Sequence, residues 1–174
     1  MLRATLQALQ EDGAAGLTIS EIARRSGVHA TSIQRRWGTV EDVLLDAVLI
    51  YSQQTLPIPD TGSLRGDFVA FARLMARYLE TPLGKIVMRT MANAKETSER
   101  ANTRAEVLRV RFAAASVMAA RGIERGEIRP DVEPKFAQEL LVAPIYLRRL
   151  VTHEPIDDAF IERVVDVLLR GLAG

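Results

Sequence analysis

The feature that most constrains the fold is a pair of very short helices around a glycine, predicted over residues 18 to 37. The run Thr18-Ile19-Ser20-Glu21 fits a capping box, in which the Thr18 hydroxyl accepts a backbone amide and Glu21 bonds back to the Thr18 amide. Gly27 supplies a left-handed turn that ends the first helix after about two turns. A second short helix follows from Ala30 to Trp37. Because such short helices are marginal alone, they must pack within a small helical head.

The rest of the chain also shows helical periodicity, with apolar residues at three and four spacing. The segment 56–62 holds two prolines and a glycine, which mark a connector. The sequence therefore predicts an all-α fold of about nine helices. A three-helix helix-turn-helix head, residues 1–50, precedes a larger helical body, residues 55–174, and the final helix is expected at about 158–172.

Composition excludes several classes of protein. The chain has no Cys and only two His, so a disulfide framework, a thiolate zinc site and a cysteine nucleophile are excluded, and we expect neither a metal nor a cofactor. No apolar run approaches the roughly 18 to 20 residues that span a bilayer. These two absences favour a cytoplasmic protein. The sequence contains no recognisable set of catalytic residues, so we expect that the protein is not an enzyme. The net charge is only +1, so any site for nucleic acid needs local positive charge.

The predicted helix-turn-helix has the dimensions of a DNA reader. The major groove is about 12 Å wide and admits one helix with short or flexible outward side chains. Arg35 offers two donors to guanine, Gln34 offers a two-pronged pairing to adenine, and small side chains touch thymine methyl groups. Helix N-termini and nearby arginines attract phosphates. The candidate DNA-binding residues are Thr18, Arg24, His29, Ala30, Thr31, Ser32, Gln34, Arg35 and Arg36.

The stretch from Ala15 to Leu45 resembles the tetracycline-repressor (TetR) family of transcriptional regulators. The resemblance is carried by Thr18-Ile19-Ser20-Glu21-Ile22-Ala23, Ser26-Gly27-Val28 and Ile33-Gln34-Arg35-Arg36-Trp37-Gly38-Thr39-Val40-Glu41. It extends more loosely over the body through the turn at residues 125–131 and the closing amphipathic helix. The resemblance implies double-stranded operator DNA as a partner, a homodimer formed by the last two helices, and a small-molecule pocket in the body. Ligand would release DNA by changing the spacing of the two heads.

Two sets of body residues are candidates for these roles. Met and aromatic side chains form adaptable apolar surfaces, so the effector is expected to be largely apolar, although each residue is also compatible with ordinary core. The candidate pocket residues are Phe68, Phe71, Met75, Tyr78, Met88, Met91, Phe112, Met118 and Tyr146. The last helix has an apolar arc too wide for one contact surface. The candidate dimer residues are Phe136, Leu140, Leu147, Phe160, Val164, Val167 and Leu168.

Three positions depart from the family pattern. Gln34 stands where an aromatic residue is usual, His29 where Ser or Thr is usual, and Val40 where Lys is usual. The chain also begins within the predicted first helix, without a basic arm before it. The leading hypothesis is a ligand-responsive repressor. The alternative is a helical ligand-binding or protein-interaction dimer with a weakened DNA-binding head.

Overall fold

The computed structural model describes residues 1–12, 17–51, 57–82, 84–85, 88, 109–110 and 113–173. These residues form eight α-helices and a π-helical turn, without any strand, which confirms the all-α prediction. The helices are α1 (Leu2–Asp12), α2 (Ile19–Ser26), α3 (Ala30–Trp37), α4 (Val40–Tyr51), α5 (Leu64–Glu80), α6 (Val117–Glu124), α7 (Pro134–Leu147) and α8 (Asp158–Leu172). The π-helical turn Arg148–Thr152 directly follows α7. The sequence also predicts a helix that begins at Pro82 and another over about 101–125. Most of the first, and residues 101–108 and 111–112 of the second, lie outside the described residues.

The described residues belong to two compact units. The first contains residues 1–12, 17–51, 79–82, 84–85 and 88, and the second contains residues 57–78, 109–110 and 113–173. Helix α5 therefore contributes its last two residues to the first unit and the remainder to the second.

The first unit has its own apolar core, to which four helices contribute. Helix α1 packs against α2 and α4, and α3 packs against α2 and α4. The buried core residues are Ala8, Leu9, Leu17, Ile22, Ile33, Trp37, Val43 and Leu44. A hydrogen bond of 2.8 Å from the Trp37 indole Nε1 to Asp46 Oδ2 also ties α3 to α4. Helix α3 therefore turns its apolar side inward and leaves its polar side free.

The second unit is tied together around the start of α5. The Asp67 side chain is fully buried, and its Oδ1 accepts from the Thr61 amide at 2.6 Å and the Thr61 hydroxyl at 2.8 Å. Its Oδ2 lies 3.6 Å from Arg125 Nη2, and Glu127 accepts from the Leu64 amide at 2.7 Å. These bonds join the N-terminus of α5 to the turn that follows α6, so two helix ends are satisfied together.

The remaining helices of the second unit pack side by side. Helix α6 contacts α7, and α7 contacts α8. On α5, Arg73 donates to Asp158 at 2.8 Å and to Glu162 at 3.2 Å, and both carboxylates belong to α8. Helix α7 continues through Pro144, although proline removes one backbone donor.

Candidate nucleic-acid interface

The two short helices are bounded by the caps that the sequence predicts. The Thr18 hydroxyl accepts from the Glu21 amide at 3.1 Å and caps α2. Gly27 ends α2 with a left-handed φ of 69°, a conformation that disfavours any side chain. Local chemistry thus fixes where α2 stops and where the chain turns toward α3.

The outward face of α3 is centred on two exposed residues. At about 100° per residue, Thr31 and Arg35 lie opposite the buried Ile33 and Trp37. Ser32 and Gln34 lie on the two flanks and are also exposed. Among the described residues, Arg35 has no hydrogen-bond or ion-pair partner. This face presents a free guanidinium and two small hydroxyls, which suit base edges in a major groove.

Two of the predicted reading residues already have partners within the head. The Gln34 Nε2 donates to the Gly38 carbonyl at 2.7 Å, so this side chain caps the C-terminus of its own helix. The Arg36 guanidinium lies 4.6 Å from the centre of the Trp37 ring, in cation–π geometry. A contact of either residue with DNA would therefore have to share or replace these interactions.

The Glu21 carboxylate binds two arginines of its own helix. Its Oε2 accepts from Arg24 Nε at 2.9 Å, and its Oε1 accepts from Arg24 Nη2 and Arg25 Nε at 2.6 Å each. The bonds to Arg24 and then to Arg25 lower the pKa of Glu21 to about 2. The sequence predicts that Glu21 bonds back to the Thr18 amide, but the carboxylate engages these arginines instead.

The helix N-termini carry the other predicted phosphate contacts. Thr18 and His29 are both exposed at N-cap positions, while Ala30 is half-buried at the start of α3. The His29 side chain makes no capping bond, and the Ser32 amide donates to the His29 carbonyl at 3.0 Å, so the open amides at this end are those of Ala30 and Thr31. Free amides at a helix N-terminus attract phosphate oxygens.

The charge of the head is local rather than general. Residues 1–50 contain five arginines and six carboxylates. Two of the arginines, Arg24 and Arg25, share the Glu21 carboxylate, so within the two short helices the positive charge outside these ion pairs lies at Arg35 and Arg36 on α3. No cluster of three metal-ligating side chains occurs among the described residues. The arrangement suits anion and base contacts made by one helix.

Comparison with protein families settles the class of the chain. Residues 1–47 match the model for bacterial regulatory proteins of the tetR family. Residues 58–168 match the model for the tetracyclin repressor-like C-terminal domain.

The chain belongs to the TetR family.

Two curated relatives extend the match over almost the whole chain. The HTH-type transcriptional regulator AqdR of Rhodococcus erythropolis is 31% identical over 173 residues, which are 98% of this chain and 83% of that protein. The DNA-binding transcriptional repressor TetR of Mycobacteroides abscessus is 27% identical over 173 residues, with 97% and 90% covered. The crystal structure of the TetR family transcription regulator SCO0332 has a TM-score of 0.81 at 33% identity, covering 99% of this chain and 96% of that one. This TetR family member is a DNA-binding transcriptional regulator.

The predicted pocket residues of the TetR-family body are mostly inward-facing. Phe68, Phe71, Met75 and Met118 are buried in the second unit, where Tyr78 and Tyr146 are half-buried. Met88 is buried and belongs to the first unit. Met91 and Phe112 lie outside the described residues. The described members of the set in the second unit therefore belong to its interior.

The predicted dimer residues of α7 and α8 are unusually exposed for their type. Phe136 and Leu147 are each 53% exposed, Leu140 is 38% exposed and Val167 is 64% exposed. Phe160, Val164 and Leu168 are half-buried on α8. Exposed large apolar side chains on two adjacent helices are typical of interaction surfaces.

Two residues with a bearing on the site are not among the candidate site residues that the sequence predicts. Glu21 lies three and four residues before Arg24 and Arg25, a spacing that favours ion pairs on a helix. Gln138 on α7 is 1% exposed. The sequence feature that could have identified it is the position of a polar residue within an apolar helical face. Neither residue stands out by type alone.

Proposed function

We propose that the protein is a repressor that binds operator DNA as a homodimer, with the outward face of α3 in the major groove. The observation that carries this proposal is the exposed, unpartnered Arg35 beside Thr31, opposite the apolar side of α3. Phosphate contacts by Thr18 and His29 would set the position of the head, while Arg35 and Ser32 would read bases.

We also propose that the two regions of the chain have different functions. Residues 1–50 would bind DNA, and residues 55–174 would bind a small apolar effector and dimerise. The exposed Phe136, Leu147 and Val167 support the dimer interface, because burial against a second copy removes them from water. Effector binding would then change the spacing of the two heads in the cytoplasm and release the operator.

The test is binding of the purified protein to DNA from upstream of its own gene, compared with a shuffled duplex of equal length. We expect sequence-preferring binding that weakens steeply with salt, because phosphate neutralisation releases counterions. Equal, weak binding to both duplexes across the salt series would contradict the proposal.

One set of observations favours a second candidate, a ligand-binding or protein-interaction dimer whose head binds DNA weakly. Glu21 offsets the charge of Arg24 and Arg25, and Gln34 is engaged by the Gly38 carbonyl. A stable dimer without DNA binding even at low salt would favour this candidate over the repressor.

A further inference from the structure

Helix α7 carries a buried amide without a partner. The Gln138 side chain is 1% exposed, and neither its Nε2 nor its Oε1 has a hydrogen-bond partner among the described residues. Buried amides in proteins are almost always hydrogen-bonded, because an unpaired donor or acceptor loses its bonds to water without replacement. Such an exception calls for a group that supplies the missing bonds.

Gln138 lies in the middle of an apolar face. At about 100° per residue, Leu141, Val142 and Ile145 fall within roughly 60° of it around α7. All three are buried, with exposures of 0%, 5% and 1%. The amide therefore lies on the inward side of the second unit, and its immediate neighbours on the helix offer no hydrogen bond from their side chains.

The other buried polar side chain of the second unit is already engaged. Among the described residues of that unit, only Asp67 and Gln138 are polar or charged and buried. The Asp67 Oδ1 accepts two bonds from Thr61, and its Oδ2, which makes no hydrogen bond, lies 3.6 Å from the Arg125 guanidinium as an ion pair. Among the described residues of the second unit, Gln138 is thus the buried polar side chain with neither a hydrogen bond nor an ion pair.

We propose that Gln138 is the recognition group for an apolar effector that carries an uncharged amide-type function. The Nε2 donates to the ligand carbonyl, and the Oε1 accepts from the adjacent ligand N–H. This two-point pairing satisfies both orphaned atoms at once. The inference rests on the proposed effector response and names the chemical class of the effector.

The surroundings favour a neutral ligand over a charged one. No Lys, Arg or His is buried among the described residues, so an ionised head group beside Gln138 would have no counter-charge there. Tyr146, two turns further along α7, has a pKa raised to about 12 by burial and by Tyr78, so its phenol stays neutral. A charged ligand would lose its hydration without compensation.

The test compares two probes of equal chain length, octanamide and methyl octanoate, by calorimetric titration of the full-length protein without DNA. Octanamide offers an adjacent acceptor and donor, whereas the ester offers acceptors alone. We expect wild type to prefer octanamide by roughly tenfold, since one more buried hydrogen bond separates the probes. In Gln138→Leu we expect this preference to be lost or to reverse toward the ester, because the buried amide of octanamide then has no partner.

The matched control is Leu141→Met, which alters packing on the same helix face and keeps the amide. It is expected to retain the preference for octanamide. The melting temperature of ligand-free Gln138→Leu is a second measurement. We expect it to equal or exceed that of wild type, because the substitution removes two unpaired polar atoms at similar volume.

Three results would overturn the inference. The first is that wild type binds octanamide no more tightly than methyl octanoate. The second is that Gln138→Leu still prefers octanamide, and the third is that ligand-free Gln138→Leu melts well below wild type. The last would show that the amide has a structural partner, such as a buried water. Since no DNA is present, failure of operator binding would leave these measurements unaffected and is distinguished from failure of this inference.

Discussion

At the scale of single residues, Arg35 and Arg24 differ in what they already bind. Arg35 is unpartnered within the described residues, whereas both nitrogens of Arg24 that face Glu21 are bonded to it. We expect Arg35→Ala to weaken binding to the preferred operator by about 1 to 3 kcal/mol and to relax base preference at about one position per half-site. Arg24→Ala should weaken specific and random DNA alike, and by less. Competition titrations with single-base variants of the operator measure both effects. Equal losses for both variants on every duplex would refute this division of roles.

The Glu21 carboxylate gives the first unit a defined response to acid. Its pKa falls from 4.5 to about 2 because Arg24 and Arg25 donate to the charged form. The stabilisation is therefore complete above about pH 4.5 and is lost as the pH falls toward 2. We expect Glu21→Gln to be less stable at pH 7 and to show a flatter stability profile between pH 4.5 and 2. Urea midpoints measured across this range test the expectation, and an unchanged profile would contradict it.

Residue roles could be predicted where they follow from local chemistry. The Thr18 cap depends only on neighbours in sequence, and this prediction is confirmed. The partner of Glu21 was predicted wrongly, because the backbone amide and two guanidinium groups compete for one carboxylate. The bond of Gln34 to Gly38 depends on a rotamer that spacing alone does not fix. The DNA, pocket and dimer roles stay predictions.

At the scale of elements, the start of α2 determines where the turn and α3 are placed. Thr18→Ala removes the hydroxyl that accepts from the Glu21 amide, so we expect a loss of about 0.5 to 2 kcal/mol in stability. Ser20→Ala is the matched control, because Ser20 lies exposed inside the same helix and a change to Ala favours helix. Thermal unfolding followed by circular dichroism compares the two. A Thr18→Ala variant that melts like Ser20→Ala would argue against the cap.

Helix bounds were predictable wherever caps and periodicity agreed. The sequence predicts the final helix at about 158–172, and the structure has Asp158–Leu172. The π-helical turn Arg148–Thr152 was not predicted, because it depends on how the chain is held after α7. There Arg148 stacks 3.6 Å from the centre of the Phe160 ring and pairs with Glu154 at 3.0 Å. Contacts of this kind arise only after distant helices have packed.

At the scale of the whole molecule, the exposed apolar surface of α7 and α8 predicts assembly. Val167 is 64% exposed, so Val167→Glu should leave the fold of each protomer intact. We expect this variant to be monomeric, because dimer formation would bury an unpaired carboxylate. Sedimentation velocity measures the mass, and circular dichroism checks the fold. Ala113→Glu, a change at an exposed residue before α6, should remain dimeric. A folded, dimeric Val167→Glu would place the interface elsewhere.

The buried indole of Trp37 gives the protein an intrinsic optical probe. The chain has a single tryptophan, and that residue is 7% exposed beneath α3, bonded to Asp46 and overlaid by the Arg36 guanidinium. Its emission wavelength and its accessibility to acrylamide therefore report on α3 and on its contact with α4. Fluorescence titrations can follow the DNA-facing head during operator or effector binding without any added label.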